Sequence, residues 1–268
     1  MSKIAAAVRA KIKKSGLPLL GDPPIAQPGF HLHTIRKKSS PRKLGVTRMG
    51  GCPDLPQDAD WPEELDFVGQ VNLADVASAG KLPKTGLLSF FAHYDLDTYD
   101  REMYRVYYFE DTKQLKRAPL PDNGVCHPCT VEISKIPTLP QLEAIPRSVW
   151  RPTKTERDAY IGLMNDLIAV YSKHKSSMTW LLGNAHCFYG DMQSEISLIE
   201  SGLSENDRGA KALVKRSHDE WSLLFQVGTN EDGTGYMWGD MGSLFFWIKN
   251  EDMAAGKFDN VWAMIEGG

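Results

Sequence analysis

Apolar Ile4, Val8 and Ile12 recur at every fourth position behind Ser2, alanines fill the gaps, and Gly16 and Pro18 close the run. That pattern predicts a capped helix over residues 2–15. The helical period returns at Tyr160, Leu163, Leu167, Val170 and Tyr171, and Thr153 stands at capping-box spacing before Glu156, which predicts a long helix over 154–173. Shorter helices are expected over 192–201 and 206–217. Short apolar or alternating runs predict strands over 65–71, 86–92, 103–109, 129–136, 221–227 and 242–248. Prolines at 23, 24, 28, 41, 53, 56 and 62 forbid a long helix between Pro18 and Pro62, leaving extended segments and turns. Pro137, Pro140, Pro146 and Pro152 punctuate a second connector, the best candidate seam in the chain.

Sliding the sequence along itself by 156 positions aligns Gln70 with Gln226, Val71 with Val227, Gly86 with Gly242, Leu88 with Leu244 and Phe90 with Phe246. In each copy an apolar strand ends in Gln-Val, a polar loop follows, and Gly-x-Leu-x-Phe opens the next strand. Alternation puts Leu244, Phe246 and Ile248 on one face and Phe245 and Trp247 on the other. Two large aromatics facing water side by side are unfavourable, so this strand is expected inside the sheet with its second face covered by the 154–173 helix. The expected fold class is therefore α+β: a largely antiparallel, internally duplicated sheet with an N-terminal helix and one long central helix. Residues 1–29 are read as a basic helix and connector, and 30–268 as one domain of two pseudo-repeated halves, about 30–136 and 154–268.

Several motifs carry a family resemblance. Arg48-Met49-Gly50-Gly51-Cys52-Pro53-Asp54-Leu55-Pro56, Trp61-Pro62, Phe67-Val68-Gly69-Gln70-Val71-Asn72-Leu73, and Leu82-Pro83 before Gly86 resemble the YwqG-like family of uncharacterised proteins. The second half follows that family's pattern in order: Leu181-Leu182-Gly183, Gly190-Asp191-Met192-Gln193, Leu223-Leu224-Phe225-Gln226-Val227, Trp238-Gly239-Asp240-Met241-Gly242, and Phe246-Trp247-Ile248 before Phe258. The resemblance spans about residues 30–265, whereas 1–29 and 110–150 depart from it. It implies a single, largely antiparallel, duplicated α+β unit and no particular activity. Some members are encoded near bacterial toxin and immunity genes, which implies by association a neutralising, partner-binding role.

Charge adds an asymmetry. The net charge is −3, but residues 1–48 hold eleven lysines and arginines against Asp22 alone, leaving 20 cationic and 33 acidic side chains, a net of −13, in the rest. The basic arm is expected to dock on its own acidic body. Phe30 is the single aromatic before Trp61, so the aromatic platform of a nucleic-acid binder is missing and nucleic acid is a disfavoured partner. No apolar run reaches the roughly 18 residues of a membrane span. Four scattered cysteines without a signal-peptide pattern predict a reducing, cytoplasmic setting.

Candidate chemistry is sparse. Cys126-His127-Pro128-Cys129 is the weak metal or redox candidate, but a strand follows it, where a redox motif needs a helix start, and no second ligand pair stands at zinc spacing. Two turn cysteines are the plainer reading. Cys187 beside His186 reads as a buried thiol next to a loop histidine, and His31 with His33 as two surface histidines on one strand face. Asp95, Asp97 and Asp100 imitate a calcium loop but lack its glycine and closing glutamate. No phosphate-binding glycine motif is present. Trp238-Gly239-Asp240-Met241-Gly242 fits a tight turn with glycines at positive φ. The sharper expectation is a groove between the halves lined by Arg48, Trp61, Trp238 and Asp240 that holds a peptide or small ligand.

The resulting expectation is a cofactor-free, non-enzymatic protein-binding module of the immunity type. Its partner would be another protein, such as a basic toxin domain gripped by the acidic body. The alternative is an enzyme of unrecognised type with its site in the cleft between the halves.

Overall fold

Helix α1 (Lys3–Lys14) starts where the Ser2 hydroxyl oxygen accepts the Ala5 amide, and buries Ile4, Ala5, Val8 and Ile12. Helix α2 (Lys154–Lys173) starts at the reciprocal Thr153–Glu156 box and buries Tyr160, Leu163, Leu167, Val170 and Tyr171. These details come from a computed structural model that describes residues 2–20, 24–36, 42–121, 126–145, 147–187 and 191–267. Asp22, Pro23, Lys37, Lys38, Pro41, Pro146 and Gly190, used in the readings above, lie outside the described residues.

The strands are β1 (Gln27–Arg36), β2 (Arg48–Met49), β3 (Asp54–Leu55), β4 (Asp66–Asn72), β5 (Leu87–Ala92) and β6 (Tyr104–Phe109), then β7 (Lys116–Arg117), β8 (Cys129–Thr138), β9 (Trp180–Leu181), β10 (Trp221–Gly228), β11 (Ser243–Lys249) and β12 (Trp262–Glu266). Three further helices are α3 (Met192–Ser201), α4 (Ala210–Glu220) and α5 (Asn250–Ala255). Ten strands form one sheet in the order β12-β11-β10-β9-β1-β8-β2-β4-β5-β6, while β3 and β7 pair separately. Every pairing is antiparallel. The α+β, internally duplicated class expected from the pattern is the one observed.

The register displays the duplication. β1 and β8 run side by side with His33 opposite Glu132, and about that pair the sheet is two-fold symmetric: β9 flanks β1 at Phe30 and His31, β2 flanks β8 at Cys129 and Thr130. The outer strands repeat the same irregularity, a register shift between Phe67 and Gly69 in β4 and between Leu223 and Phe225 in β10. The loop closures repeat too, with Leu73 N–H donating to the Gly86 carbonyl and Thr229 N–H to the Gly242 carbonyl. A second set of equivalences runs at an offset of 132. Gly50 and Gly51 (φ 62° and 75°) match Leu182 and Gly183 (φ 59° and 84°). The Arg48 guanidinium donates to the Cys52 carbonyl, as the Trp180 indole N–H does to that of Asn184.

The sheet curls into a nearly closed barrel, bringing the inner faces of the halves together. Phe90 of β5 lies 4.7 Å from Phe225 and 5.1 Å from Phe246, ring centre to ring centre. At the seam Arg101 stacks 4.4 Å over Trp262. Strand β11 is interior, between β10 and β12, with Leu244, Phe246 and Ile248 in the inner core. Phe245 and Trp247 face the other way, into a second core shared with α1, α2 and α3. The basic arm does dock on the body: α1 packs on α2 and β8, and Lys11 pairs with Asp166 at 2.9 Å. β12 and α5 were not expected as elements, and β1 was expected only as the strand face shared by His31 and His33. His31 is not a surface residue; it sits at 0% exposure because Tyr171 of α2 and the 176–179 segment cover its strand.

Candidate functional site

Two helical pairs cover the outer face of the second half: α1 packs on α2, and α3 on α4. The pairs leave a cleft of about 820 Å3 between them, within the size range of small-molecule sites. Its floor is Trp221, Leu223 and Trp247 from β10 and β11, and one wall is Ile161, Met164 and Ile168 of α2. The other wall comes from the start of α3 and the end of α4. Trp221 is oriented by its N–H donating to Ser197 Oγ at 2.9 Å. Trp247 is 4% exposed, and its indole nitrogen is buried and has no hydrogen-bond partner among the described residues.

Asp191 and His218 sit at the polar end of the cleft. Asp191 caps α3 by accepting the Ser194 amide, and its other oxygen accepts the Ser194 hydroxyl and lies 2.9 Å from His218 Nε2. Gln193 is fixed by donating its amide to the Trp221 carbonyl, so its oxygen faces His218 Nδ1 at 2.8 Å. Both ring nitrogens therefore face acceptors, which requires the imidazolium form. The hydrogen bond to Asp191 accordingly raises the His218 pKa. Burial opposes ionisation of Asp191, yet the bonds from His218 and Ser194 outweigh it and hold the carboxyl below its ordinary value. Cys187, also at the cleft, is pushed up by burial and by Glu266 and Asp191, so the thiol stays protonated and is a poor nucleophile. His186 is buried and pushed down to about 4 by desolvation. Cys187 is half-buried and His186, whose amide is held by Gln226, is the more buried of the two, so the thiol is less enclosed than expected.

The sequence-predicted groove residues occupy different places. Arg48 is fully buried, with its guanidinium 5.1 Å over the Phe67 ring and bonded to the carbonyls of Gly50 and Cys52. It also meets Asp54 at 3.4 Å, and Asp54 is ligated in turn by Arg117, Gln70 and the Gly45 amide. Burial pushes Arg48 down to about 10 while Asp54 pulls it back up. Trp61 donates to the Leu65 carbonyl and packs edge-on against Phe67. Trp238 is buried and stacked on Tyr236, whose hydroxyl donates to the Phe67 carbonyl. Arg48 and half-buried Trp61 thus pack on Phe67, Trp238 lies beyond Tyr236, and Asp240 is exposed in its turn. In that turn Gly239 and Met241 take positive φ; Gly242 does not, and its restriction is close approach, since a Cβ there would meet the Glu266 carbonyl.

Cys129 is buried at the start of β8, and Cys126 is partly buried, its thiol raised to about 11 by burial and by nearby Asp66. Among the described residues no group of three or more histidine, cysteine or acidic side chains is placed to hold a metal, and no helix is long and apolar enough to cross a membrane.

A second feature was missed in the sequence as a surface. The β5–β6 loop presents Tyr94 and Tyr99 at 67% and 69% exposure, interleaved with exposed Asp95, Asp97 and Asp100. Asp97 accepts the Tyr99 amide and Asp100 the Glu102 amide, so the acids brace the loop as well as charge it. The Asp-x-Tyr spacing was the available signal for this loop; for Asp191 it was the N-cap pattern Asp-x-x-Ser.

Residues 47–266 match the family described as a domain of unknown function (DUF1963). No curated protein matches the chain.

Proposed function

The chain belongs to the DUF1963 family, and from that premise we propose that it is a non-enzymatic module that binds another protein, of basic character, in a reducing cytoplasmic setting. Within the family we place it in the YwqG-like group, as one domain of two pseudo-repeated halves, about 30–136 and 154–268, preceded by the 1–29 helix and connector. The observation that carries the reading is the braced loop with Tyr94 and Tyr99 exposed among Asp95, Asp97 and Asp100. Tyrosine gives a large, rigid contact area at low entropic cost and is enriched in binding hot spots, whereas a monomeric surface has no need to expose two of them in one loop. Asp95 and Asp97 between them and Asp100 just after, on a body carrying 33 acidic against 20 cationic side chains, select a basic surface and speed its encounter. A basic toxin domain is a partner of that chemistry, and neutralising one by occlusion needs no cofactor.

The test starts from basic proteins retained by the chain from source-cell lysate at low salt. Each is purified and titrated against the parent and a Tyr94→Ser/Tyr99→Ser variant. The reading predicts a salt-sensitive complex whose affinity falls at least about tenfold in the variant. Affinity indifferent to both substitutions and to salt would discard it.

A further inference from the structure

The two halves build their outer faces from equivalent positions, Leu65, Phe67 and Phe91 in the first and Trp221, Leu223 and Trp247 in the second. In the first half Phe91 is fully buried and closed over by Trp61 and Tyr107, at 6.5 and 5.5 Å between ring centres. In the second, 35 positions instead of 11 separate the matching points (His186 to Trp221, against Asp54 to Leu65), and α3 and α4 lie in that longer segment. The added helices stand off α2 and leave the cleft, which runs along one end of the sheet. Phe30 of β1 is opposite Leu181 of β9, and Leu181 is opposite Phe225 of β10, so Gln27 and Pro28 stand level with Trp221 and Leu223. The lining therefore crosses from Lys135 of β8 to Trp247 of β11, four strand spacings or about 19 Å.

The two ends of the cleft differ in charge. At the far end Asp191 is neutralised by His218, and Asp219 beside it adds a negative charge. On the wall, Glu143 is paired with Arg157 at 3.4 Å. At the β8 end stand Lys81 and Lys135, both exposed and, among the described residues, without an acidic partner. The Lys135 ammonium lies 5.9 Å over the ring of Phe30, itself part of the lining, which holds this cation at the cleft. Arg9 of α1 brings a third cation by donating to the Lys135 carbonyl at 3.2 Å. Between the ends, the accessible surface of the wall is apolar: Ile161 is 53% exposed, and Leu142, Met164 and Ile168 are half-buried. Unpaired cations at one end of an apolar trough match a ligand with an anionic head and an aliphatic chain. We propose that this cleft binds a free acyl carboxylate, its head at Lys81 and Lys135 and its chain along Ile161, Met164 and Ile168 of α2. The site is separate from the tyrosine loop, and neither reading depends on the other.

The probes are decanoate, decan-1-ol, which has the same chain and no charge, and butanoate, which has the same head and little chain. Binding is followed by ligand-observed NMR on the full chain. In the parent decanoate binds saturably and several-fold to about tenfold more tightly than decan-1-ol, the range a charge-assisted hydrogen bond supplies. Butanoate, with too little chain to use the wall, does not saturate. Lys81→Gln/Lys135→Gln, at two exposed positions, brings decanoate down to the affinity of the alcohol and leaves the alcohol unchanged. Ile161→Gln/Met164→Gln weakens both ten-carbon probes. Absence of saturable decanoate binding, a preference for the carboxylate that survives the lysine substitutions, butanoate binding as well as decanoate, or binding indifferent to the wall substitutions each overturns the proposal.

Discussion

Gln70 and Gln226 make the same pair of backbone hydrogen bonds in the two halves of the sheet. Gln70 accepts the Asp54 amide at 3.0 Å and donates to the Val46 carbonyl at 2.9 Å; Gln226 accepts the His186 amide at 2.8 Å and donates to the Met178 carbonyl at 3.1 Å. Each bridges the stretch two residues before its short partner strand to the residue six after that strand's start. Both side chains are fully buried. Replacing either by methionine leaves a buried N–H and C=O unpaired, a loss of about 1–3 kcal/mol. Gln70 also donates to Asp54 Oδ2 at 2.8 Å, so Gln70→Met is predicted to be the more destabilising of the two. Urea denaturation ranks them; equal midpoints would show that the carboxylate draws nothing from Gln70.

Asp54 itself is the sharper case. It is a carboxylate at 0% exposure, between Arg48, also at 0%, and the partly exposed Arg117. Breaking a buried pair from one side strands the other charge, at a cost of about 3–5 kcal/mol. Asp54→Asn keeps the shape and is predicted to cost that much, whereas Arg117→Gln, whose side chain reaches solvent, costs less. The comparison of the two melting temperatures checks the order, and an Asp54→Asn protein as stable as the parent would mean that Arg48 is held by its carbonyl contacts alone.

Two buried histidines steepen the loss of stability in mild acid. His31 and His186 are each pushed down from 6.5 to about 4, in both cases first by desolvation. A group whose pKa falls on folding contributes fully above its unfolded value and loses that contribution as the pH drops toward the folded one, because the unfolded chain binds the proton first. Stability is therefore predicted to fall from about pH 6 to about pH 5 by about 1.4 kcal/mol per unit for each histidine. His218 has the opposite sign: its raised pKa contributes fully below 6.5 and is lost as the pH rises through the folded value, so it adds no slope in the acid window. Unfolding curves across that window test this. His31→Gln should halve the slope whatever it does to absolute stability, and an unaltered slope would place the proton elsewhere.

The sequence made some of this legible and hid the rest for physical reasons. Helix α2 was readable to the residue because the Thr153–Glu156 box and the Tyr160–Leu163–Leu167 stripe state start and face together. β10 and β11 were readable through the repeat with β4 and β5. β1 was not, since its Pro28 and Gly29 look like turn residues, although a sheet-centre strand closely approached by the Leu182 carbonyl suits glycine. β2 and β9 have two residues each, too few for any period. Their equivalence was also out of reach of a single alignment, because it holds at an offset of 132 and the strand pairs at 156. That difference of 24 is the longer segment carrying α3 and α4, hence the cleft. Asp191 and His218 meet only because two helices fold back on each other, and no local spacing announces that.

The inner core offers the most direct check on how the halves are joined. Phe90 belongs to the first half and Phe246 to the second, both fully buried, with ring centres 5.1 Å apart and planes tilted by 58°. If the curled sheet is a single cooperative core, Phe246→Ala removes a ring from its middle and costs about 3–5 kcal/mol. That loss alone would also follow from two separately folded halves, so the coupling has to be measured. Phe90→Leu and Phe246→Leu, singly and together, form a cycle in which the direct ring contact is worth about 0.5–1.5 kcal/mol. Unfolding should remain one transition in all four proteins, because the contact and the continuous β1–β8 ladder link both halves. A coupling near zero together with two separate transitions would mean that each half folds on its own core, and that the barrel is two sheets in contact instead of one sheet closed on itself.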